Sequence, residues 1–196
     1  MISPNSAQNS LKRLKMLKKI VAFVFAFTLI FIIDQGVKYY TLHTLCDSNI
    51  IKDGKILMQE GDELFAQNSC AGKRQGEYIS LVGTLNTGVA FSMFSGKEEL
   101  KFVHLGLLVL LLLYLLWQRR FFSDHLIAFA LLFGAGCSNL FDRFIYGGVV
   151  DMFFWHKWFE FAVFNVADAT INLSVALILI KELFFRKKRH YEENFS

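Results

Sequence analysis

The 196 residues contain one proline, at position 4, so none of the long apolar runs carries that helix breaker. No internal repeat or low-complexity tract is present, which leaves no sign of a solenoid. The motif His-Glu-x-x-His is absent and the histidines (43, 104, 125, 156, 190) are scattered, which argues against a zinc peptidase. Charge is sparse at 19%, whereas 54% of residues are hydrophobic, 16% are aromatic and the mean hydropathy is +0.39. A soluble domain has no means of hiding that much apolar surface.

What is abundant is membrane-length sequence. Residues 20–42, 100–117, 126–144 and 161–185 each approach or exceed the roughly 20 residues a helix needs to cross a bilayer. Backbone polar groups in lipid must be satisfied internally, so these runs are expected as helices. The expectation is an all-α integral membrane protein with four transmembrane helices, forming one domain over residues 1–196. Span one follows Lys12, Arg13, Lys15, Lys18 and Lys19 as a signal peptide would, yet it lacks the small-residue cleavage site and reads as a retained anchor. Those basic residues, Arg119 and Arg120 after span two, and Arg186, Lys187, Lys188 and Arg189 after span four predict cytoplasmic ends, with both termini inside. The net charge of +4 is therefore read as an orientation signal, and nucleic acid is not expected as a partner.

The outer segment, residues 43–99, is charged and glycine-bearing, and an extended stretch at 47–76 reads as mostly solvated loop. Within it Glu77 to Leu85 reads as a short strand turning at Asn86-Thr87-Gly88, which suggests a small extracytoplasmic sheet on the membrane. Cys46 and Cys70 share this segment, where oxidation is permitted, and make a candidate disulfide. Cys137, in span three, reads as a small packing residue.

Polar residues in the spans fall on shared helix faces. Asp34 and Lys38 are four apart at the end of span one; Asn139 aligns with Asp142 and Arg143 on span three; Asn165, Asp168 and Asn172 align on span four. The first pair reads as a structural ion pair, with snorkelling of Lys38 an alternative. Asp142 and Arg143 read as an architectural clamp, with Arg143 also available to steady a substrate carbonyl or a catalytic carboxylate. The asparagines are equally readable as interhelical hydrogen-bond glue. Asp151, on the connection between spans three and four, and Asp168 are different, because neither has a cation at helix spacing and a lone buried carboxylate is expensive.

Two carboxylates in a poorly solvated site cannot both ionise, so one proton is shared and one pKa rises. The charged member then takes a proton from water while the neutral one donates to the carbonyl oxygen or leaving nitrogen. This chemistry needs no metal, nucleophilic side chain or organic cofactor. Rival readings are a proton or cation path through Asp34, Asp142, Asp151 and Asp168, a scaffold membrane protein, and a serine protease using Ser92 or Ser80 with Lys38 as base.

Asn86-Thr87-Gly88-Val89-Ala90-Phe91-Ser92, Asn139-Leu140-Phe141-Asp142-Arg143 with Gly148-Val149-Val150-Asp151-Met152, Phe164-Asn165-Val166-Ala167-Asp168, and Asp34-Gln35-x-x-Lys38 resemble, in order, the motifs of the bacterial lipoprotein signal peptidases, or signal peptidase II. The resemblance covers span one and most of the chain from Glu77 to Lys188. It implies a four-helix aspartic endopeptidase of the cytoplasmic membrane, active at the outer face, that removes signal peptides before the lipidated cysteine of diacylglyceryl-modified prolipoproteins. By the same resemblance Asp151 and Asp168 match the catalytic dyad. Asn86, Asn139, Asp142, Arg143, Asn165 and Ala167 match site-shaping positions, and Asp34 and Lys38 the first-helix polar pair. Prolipoprotein substrates and membrane lipids are the expected partners, with no cofactor and a monomeric state. The chain departs from the family pattern at Ala135 and Ser138, which stand where glycines are usual, and in its long outer segment.

Overall fold

The computed structural model describes residues 4–45, 50–52, 55–60, 63–67, 69–74, 76–88 and 99–195, with side chains described at 8–43, 76–88 and 99–184. Helix α1 (Pro4–Tyr40) runs into a π-helical turn (Thr41–Leu45). Strands β1 (Ile50–Lys52), β2 (Lys55–Glu60), β3 (Glu63–Gln67), β4 (Ser69–Arg74) and β5 (Ile79–Asn86) follow. Then come α2 (Leu100–Trp117), a short α3 (Arg119–Asp124), α4 (Leu126–Ile145), β6 (Val149–Trp155) and α5 (Val166–Phe195).

Among the described residues three helical stretches, Gln8–His43, Leu100–Trp117 and Leu126–Ile145, are long and apolar enough to cross a membrane. Their outer faces leave large apolar side chains uncovered, such as Phe25, Val24, Leu110 and Leu113, as do Leu179 and Leu183 on α5. That pattern suits a helix whose solvent is hydrocarbon. Helix α4 is the hub, packing against α1, α2 and α5. Its small residues Ala128, Ala130, Gly134, Ala135 and Gly136 are buried, so neighbouring backbones approach closely. The approach is tightest at Gly134, where an added Cβ would lie 2.6 Å from the Phe27 carbonyl oxygen.

The C-terminal ends of α1 and α4 meet through Lys38 and Asn139, and the first turn of α5 joins them through Ala167 and Asp34. Helices α1 and α4 therefore run the same way and α5 runs back. At the far end Lys19 donates to Ser123 Oγ and Lys181 to the Asp124 carbonyl. Most of the buried polar residues, among them Asp34, Lys38, Asn139, Asp142 and Asn165, are thus gathered at one end and several basic residues at the other.

The strands form two antiparallel sheets, with orders β1-β2-β3 and β4-β5-β6. The expectation that residues 47–76 are mostly loop is corrected, since β1 to β4 run through them. The hairpin signal was there: Asp53-Gly54 and Gly61-Asp62 are two-residue spacers between the paired ends Lys52 and Lys55, and Glu60 and Glu63. The strand expected at Glu77 to Leu85 is observed as β5, shifted by about two residues at its start. Span four also begins later than residue 161. Phe164 pairs with Phe153 in an isolated bridge, and its carbonyl accepts from the N–H groups of Met152 and Phe153, so the chain is extended until Asn165 starts the helix.

Candidate active site

Asn165 is the N-cap of α5 and Asp168 its third residue, and the two exchange hydrogen bonds as a capping box does. The Asp168 N–H donates to Asn165 Oδ1 at 2.8 Å, and the Asn165 N–H reaches back to Asp168 Oδ2 at 3.4 Å. With its oxygen committed to the cap, the Asn165 amide turns its Nδ2 toward Asp151 Oδ1, 2.7 Å away. One fully buried asparagine therefore links the two aspartates that the sequence singled out.

Asp151 reaches this point from the sheet. In the β5–β6 ladder Thr84 faces Asp151 and Asn86 faces Val149, so Asn86 is the diagonal neighbour of Asp151 on one face. Asn86 Nδ2 donates to Asp151 Oδ2 at 3.1 Å. On the other face Val150 and Met152 pack with Leu42 and Leu85, which seats the strand on the end of α1. Asp151 is only 2% exposed. Burial first, and then the charge of Asp168 beside it, push its carboxyl up to about 7, against the opposing pull of the amides of Asn86 and Asn165.

Behind the pair lies a buried ionic hub. Lys38, 1% exposed, contacts Asp34 Oδ2 at 2.6 Å, Asp142 Oδ2 at 2.8 Å and Asn139 Oδ1 at 2.8 Å. By holding the Asn139 oxygen, Lys38 orients the amide so that Nδ2 donates to Asp168 Oδ1 at 2.9 Å. Asp142 also accepts the Val150 N–H at 3.1 Å, which fixes the strand one residue before Asp151. Such a hub is tolerated inside a protein only where every charge has partners.

Asp34 and Lys38 form the expected ion pair and reach across to α4 as their spacing allowed. Asp142 and Arg143 do not pair with each other; adjacent helix positions face different ways. Asp142 goes to Lys38, whereas Arg143 Nη2 donates to the Gly88 carbonyl at 2.6 Å and clamps the turn after Asn86. Ala167 is fully buried and gives its N–H to Asp34 Oδ1. Asn172, expected on the same face as Asp168, is instead exposed. Ser80 Oγ lies 2.8 Å from His156 Nε2, and Lys38 is committed to the hub, so the Ser80–Lys38 pairing is not formed. Ser92 and Cys46 lie outside the described residues, as does the Cys70 side chain, and with them the candidate disulfide.

Two supporting residues escaped the helical-face reading. Gln35 Nε2 donates to Ser138 Oγ at 2.8 Å and to Asp142 Oδ1 at 2.7 Å. Ser138 Oγ donates to Asp34 Oδ2 at 2.7 Å. Gln35 sits one residue from Asp34, off the Asp34–Lys38 face, so the motif Asp34-Gln35-x-x-Lys38 included it without giving it a role. Ser138 registered merely as a larger residue at a glycine position, yet its hydroxyl fills that space with a bond.

Comparison with known proteins agrees with this architecture. Residues 26–184 match the family described as Signal peptidase (SPase) II, Peptidase_A8. The lipoprotein signal peptidase of Campylobacter jejuni subsp. jejuni serotype O:6 is 50% identical over 177 residues, covering 89% of this chain and 96% of that protein. That of Helicobacter pylori is 37% identical over 174 residues, covering 88% and 94%. A solved structure described as a bacterial membrane enzyme superposes with a TM-score of 0.58 at 26% identity, covering 85% of this chain and 87% of that one. On these matches the chain belongs to the signal peptidase II, or lipoprotein signal peptidase, family of bacterial membrane proteases.

Proposed function

We propose that the protein is an aspartic endopeptidase that cleaves diacylglyceryl-modified prolipoproteins before the lipidated cysteine, with Asp151 and Asp168 as the catalytic residues. Family membership supports removal of signal peptides from prolipoproteins. The observation that carries the aspartic mechanism is the Asn165 bridge, with Nδ2 on Asp151 and Oδ1 capping Asp168, which holds two carboxyls in one poorly solvated site. Asp151, on a strand with no helix dipole behind it, keeps the shared proton. Asp168, at the third residue of a helix N-terminus, is the base.

In that scheme Asp168 takes a proton from a water molecule as its oxygen attacks the scissile carbonyl, and Asp151 delivers its proton to the carbonyl oxygen. Collapse to products returns a proton to the leaving nitrogen. The hydrogen bonds from Asn86, Asn139 and Asn165 keep the carboxyls oriented throughout, and the clamp of Arg143 on Gly88 holds the turn that carries Asn86. Preorganised donors of this kind need no rearrangement as charge develops.

Helix α5 is the fourth span in this reading, and the end bearing Lys19, Arg119 and Lys181 faces the cytoplasm by the positive-inside rule. The aspartates then lie at the outer face of the cytoplasmic membrane. Exposed Trp158, Phe159 and Phe161 beyond β6 fit an interfacial aromatic belt at that level. Acids gathered at one end also disfavour an ion path, which would thread the bilayer. The substrate, itself lipid-anchored, arrives laterally, and its acyl chains supply binding energy from the bilayer. The enzyme is proposed to act as a monomer.

The test is cleavage of a lipid-modified precursor by purified Asp151→Asn and Asp168→Asn, beside Ser80→Ala and Ser92→Ala. Loss of turnover in both aspartate variants, with the protein still inserted, and retention in the serine variants are expected. Wild-type-like turnover by either aspartate variant removes the dyad from the mechanism.

A further inference from the structure

Strand β5 is not regular where it passes the aspartates. Its ladder with β6 runs in step from Ile79 against Trp155 to Leu81 against Phe153, and resumes with Thr84 against Asp151. Three steps along β5 there match two along β6, so β5 carries one extra residue as a β-bulge. A one-residue shift exchanges the two faces of a strand from that point on. In a regular ladder Gly83 would stand opposite Asp151, Leu85 would share its face and Asn86 would turn to the apolar side. The bulge instead puts Thr84 and Asn86 on the face of Asp151, and Leu85 into the apolar cluster with Leu42, Val150 and Met152.

The new position of Asn86 is accounted for by its hydrogen bond to Asp151 Oδ2. Thr84 has no such partner. It is half-buried, and among the described residues its hydroxyl neither donates nor accepts a hydrogen bond. Among those residues only His125 Nε2 and Trp155 Nε1 are enclosed polar side-chain atoms without a partner, so the Thr84 hydroxyl is open to the space in front of the sheet.

Directly opposed residues on paired strands have Cβ atoms about 4.5–5.5 Å apart. With its hydroxyl on Cβ, Thr84 can therefore reach the same substrate oxygen that Asp151 reaches. The amides of Asn86, Asn139 and Asn165 are directed at the carboxyls themselves, whereas the Thr84 hydroxyl has its hydrogen uncommitted.

We propose that Thr84 is a further catalytic residue, whose hydroxyl donates a hydrogen bond to the scissile carbonyl oxygen beside the proton of Asp151. This role rests on the two-aspartate mechanism proposed above. As the water oxygen bonds to the carbonyl carbon, the π pair of the C=O bond moves onto oxygen. Asp151 transfers its proton there, Asp168 receives the proton from water, and Thr84 shares its hydrogen without losing it. A donor already in place at an oxygen that gains charge favours the transition state over the bound substrate. The bulge supplies that donor, because Gly83 in the regular register has no side chain to offer.

Steady-state cleavage of a lipid-modified precursor by the full chain, with Thr84→Val, Thr84→Ser and Asp151→Asn side by side, tests the assignment. Valine keeps the branched shape and strand preference of threonine and removes the hydroxyl. In Thr84→Val kcat is expected to fall by at least about tenfold with KM within about twofold and Tm unchanged, the loss of one hydrogen bond made to developing charge. Thr84→Ser keeps the donor and should stay within about threefold of the wild type. Wild-type kcat in Thr84→Val, an equal loss in Thr84→Ser, or a loss confined to KM overturns the proposal. So does a displaced upper limb in the pH profile of kcat for Thr84→Val, since the hydroxyl would then act on the Asp151 carboxyl and not on the substrate. Activity in Asp151→Asn removes the dyad on which the role rests, whereas an inactive Asp151→Asn beside a fully active Thr84→Val strikes out the threonine alone.

Discussion

Asp34 Oδ1 accepts the backbone N–H of Ala167 at 2.7 Å across 133 residues of chain, so a carboxylate on the first helix caps the first turn of the last. A helix N-terminus leaves its first N–H groups unpaired. Asn165 takes that of Asp168 and Asp34 takes that of Ala167. The aim of Asp168 therefore depends on how Asp34 is held, and Ser138 and Lys38 both hold it through Oδ2.

Ser138→Ala should show that dependence in turnover. It removes a donor from a buried carboxylate, an interaction worth about 1.5–3 kcal/mol when the acceptor is charged. Expected is a fall in kcat of about tenfold with KM within about twofold, because the substrate's acyl contacts are untouched. In Asp34→Asn the same serine change should have little further effect, as contacting residues are non-additive. Steady-state kinetics on a lipid-modified precursor decide it; a raised KM at constant kcat would place Ser138 in substrate binding instead.

Lys38→Met should damage the fold more than the chemistry alone would suggest. The thioether leaves Asp34 and Asp142 facing each other with no cation between, and breaking a buried pair this way costs about 3–5 kcal/mol. Thermal unfolding in detergent should show a large drop in Tm, partly recovered in Lys38→Met/Asp142→Asn, where one of the two charges is gone. An unchanged Tm in the single variant would mean the hub is dispensable.

The carboxyl of Asp151, raised from 3.8 to about 7, ties both stability and activity to pH. The folded state binds this proton more tightly than the unfolded chain does. Its stabilisation is therefore complete below pH 3.8 and is lost as pH rises through about 7, a change on the order of 4 kcal/mol at 1.36 kcal/mol per unit. Melts from pH 4 to 8 should show that downward slope in the wild type and a shallower one in Asp151→Asn. If Asp151 is the proton donor, kcat should fall over the same upper range. Parallel slopes in the two proteins would contradict both readings.

Legibility in the sequence followed the range of the forces involved. Spans two and three were read almost to the residue, because the bilayer demands a continuous apolar run and Leu100–Trp117 and Leu126–Ile145 supply one. The i, i+4 spacing of Asp34 and Lys38 foretold their contact. The start of α5 was misread because Phe161 to Phe164 are as apolar as any helix, and only pairing with β6, a long-range event, keeps them extended. Strand β6 was missed for the same reason: its partner β5 is some 65 residues away, as the Asn86–Asp151 bond shows. The role of Ser138 was hidden because a hydroxyl in an apolar helix reveals nothing until its partner is known.

Two glycines separate helix packing from helix propensity. At Gly134 a methyl group would collide with Ile30 and lie 2.6 Å from the Phe27 carbonyl oxygen, which belongs to the α1 backbone and has no rotamer to yield. Gly134→Ala must therefore part α1 from α4, and the same two helices carry Lys38, Asn139 and Asp142 a few turns on. Overpacking of this kind costs about 1–3 kcal/mol and should reduce turnover as well as Tm. Gly36, in the same helix α1, has nothing within 4 Å of the added methyl, so Gly36→Ala is expected to gain up to about 1 kcal/mol from helix propensity alone. Paired thermal melts check the opposite signs, and a Gly134→Ala protein as stable as Gly36→Ala would show that the α1–α4 contact is looser than the geometry requires.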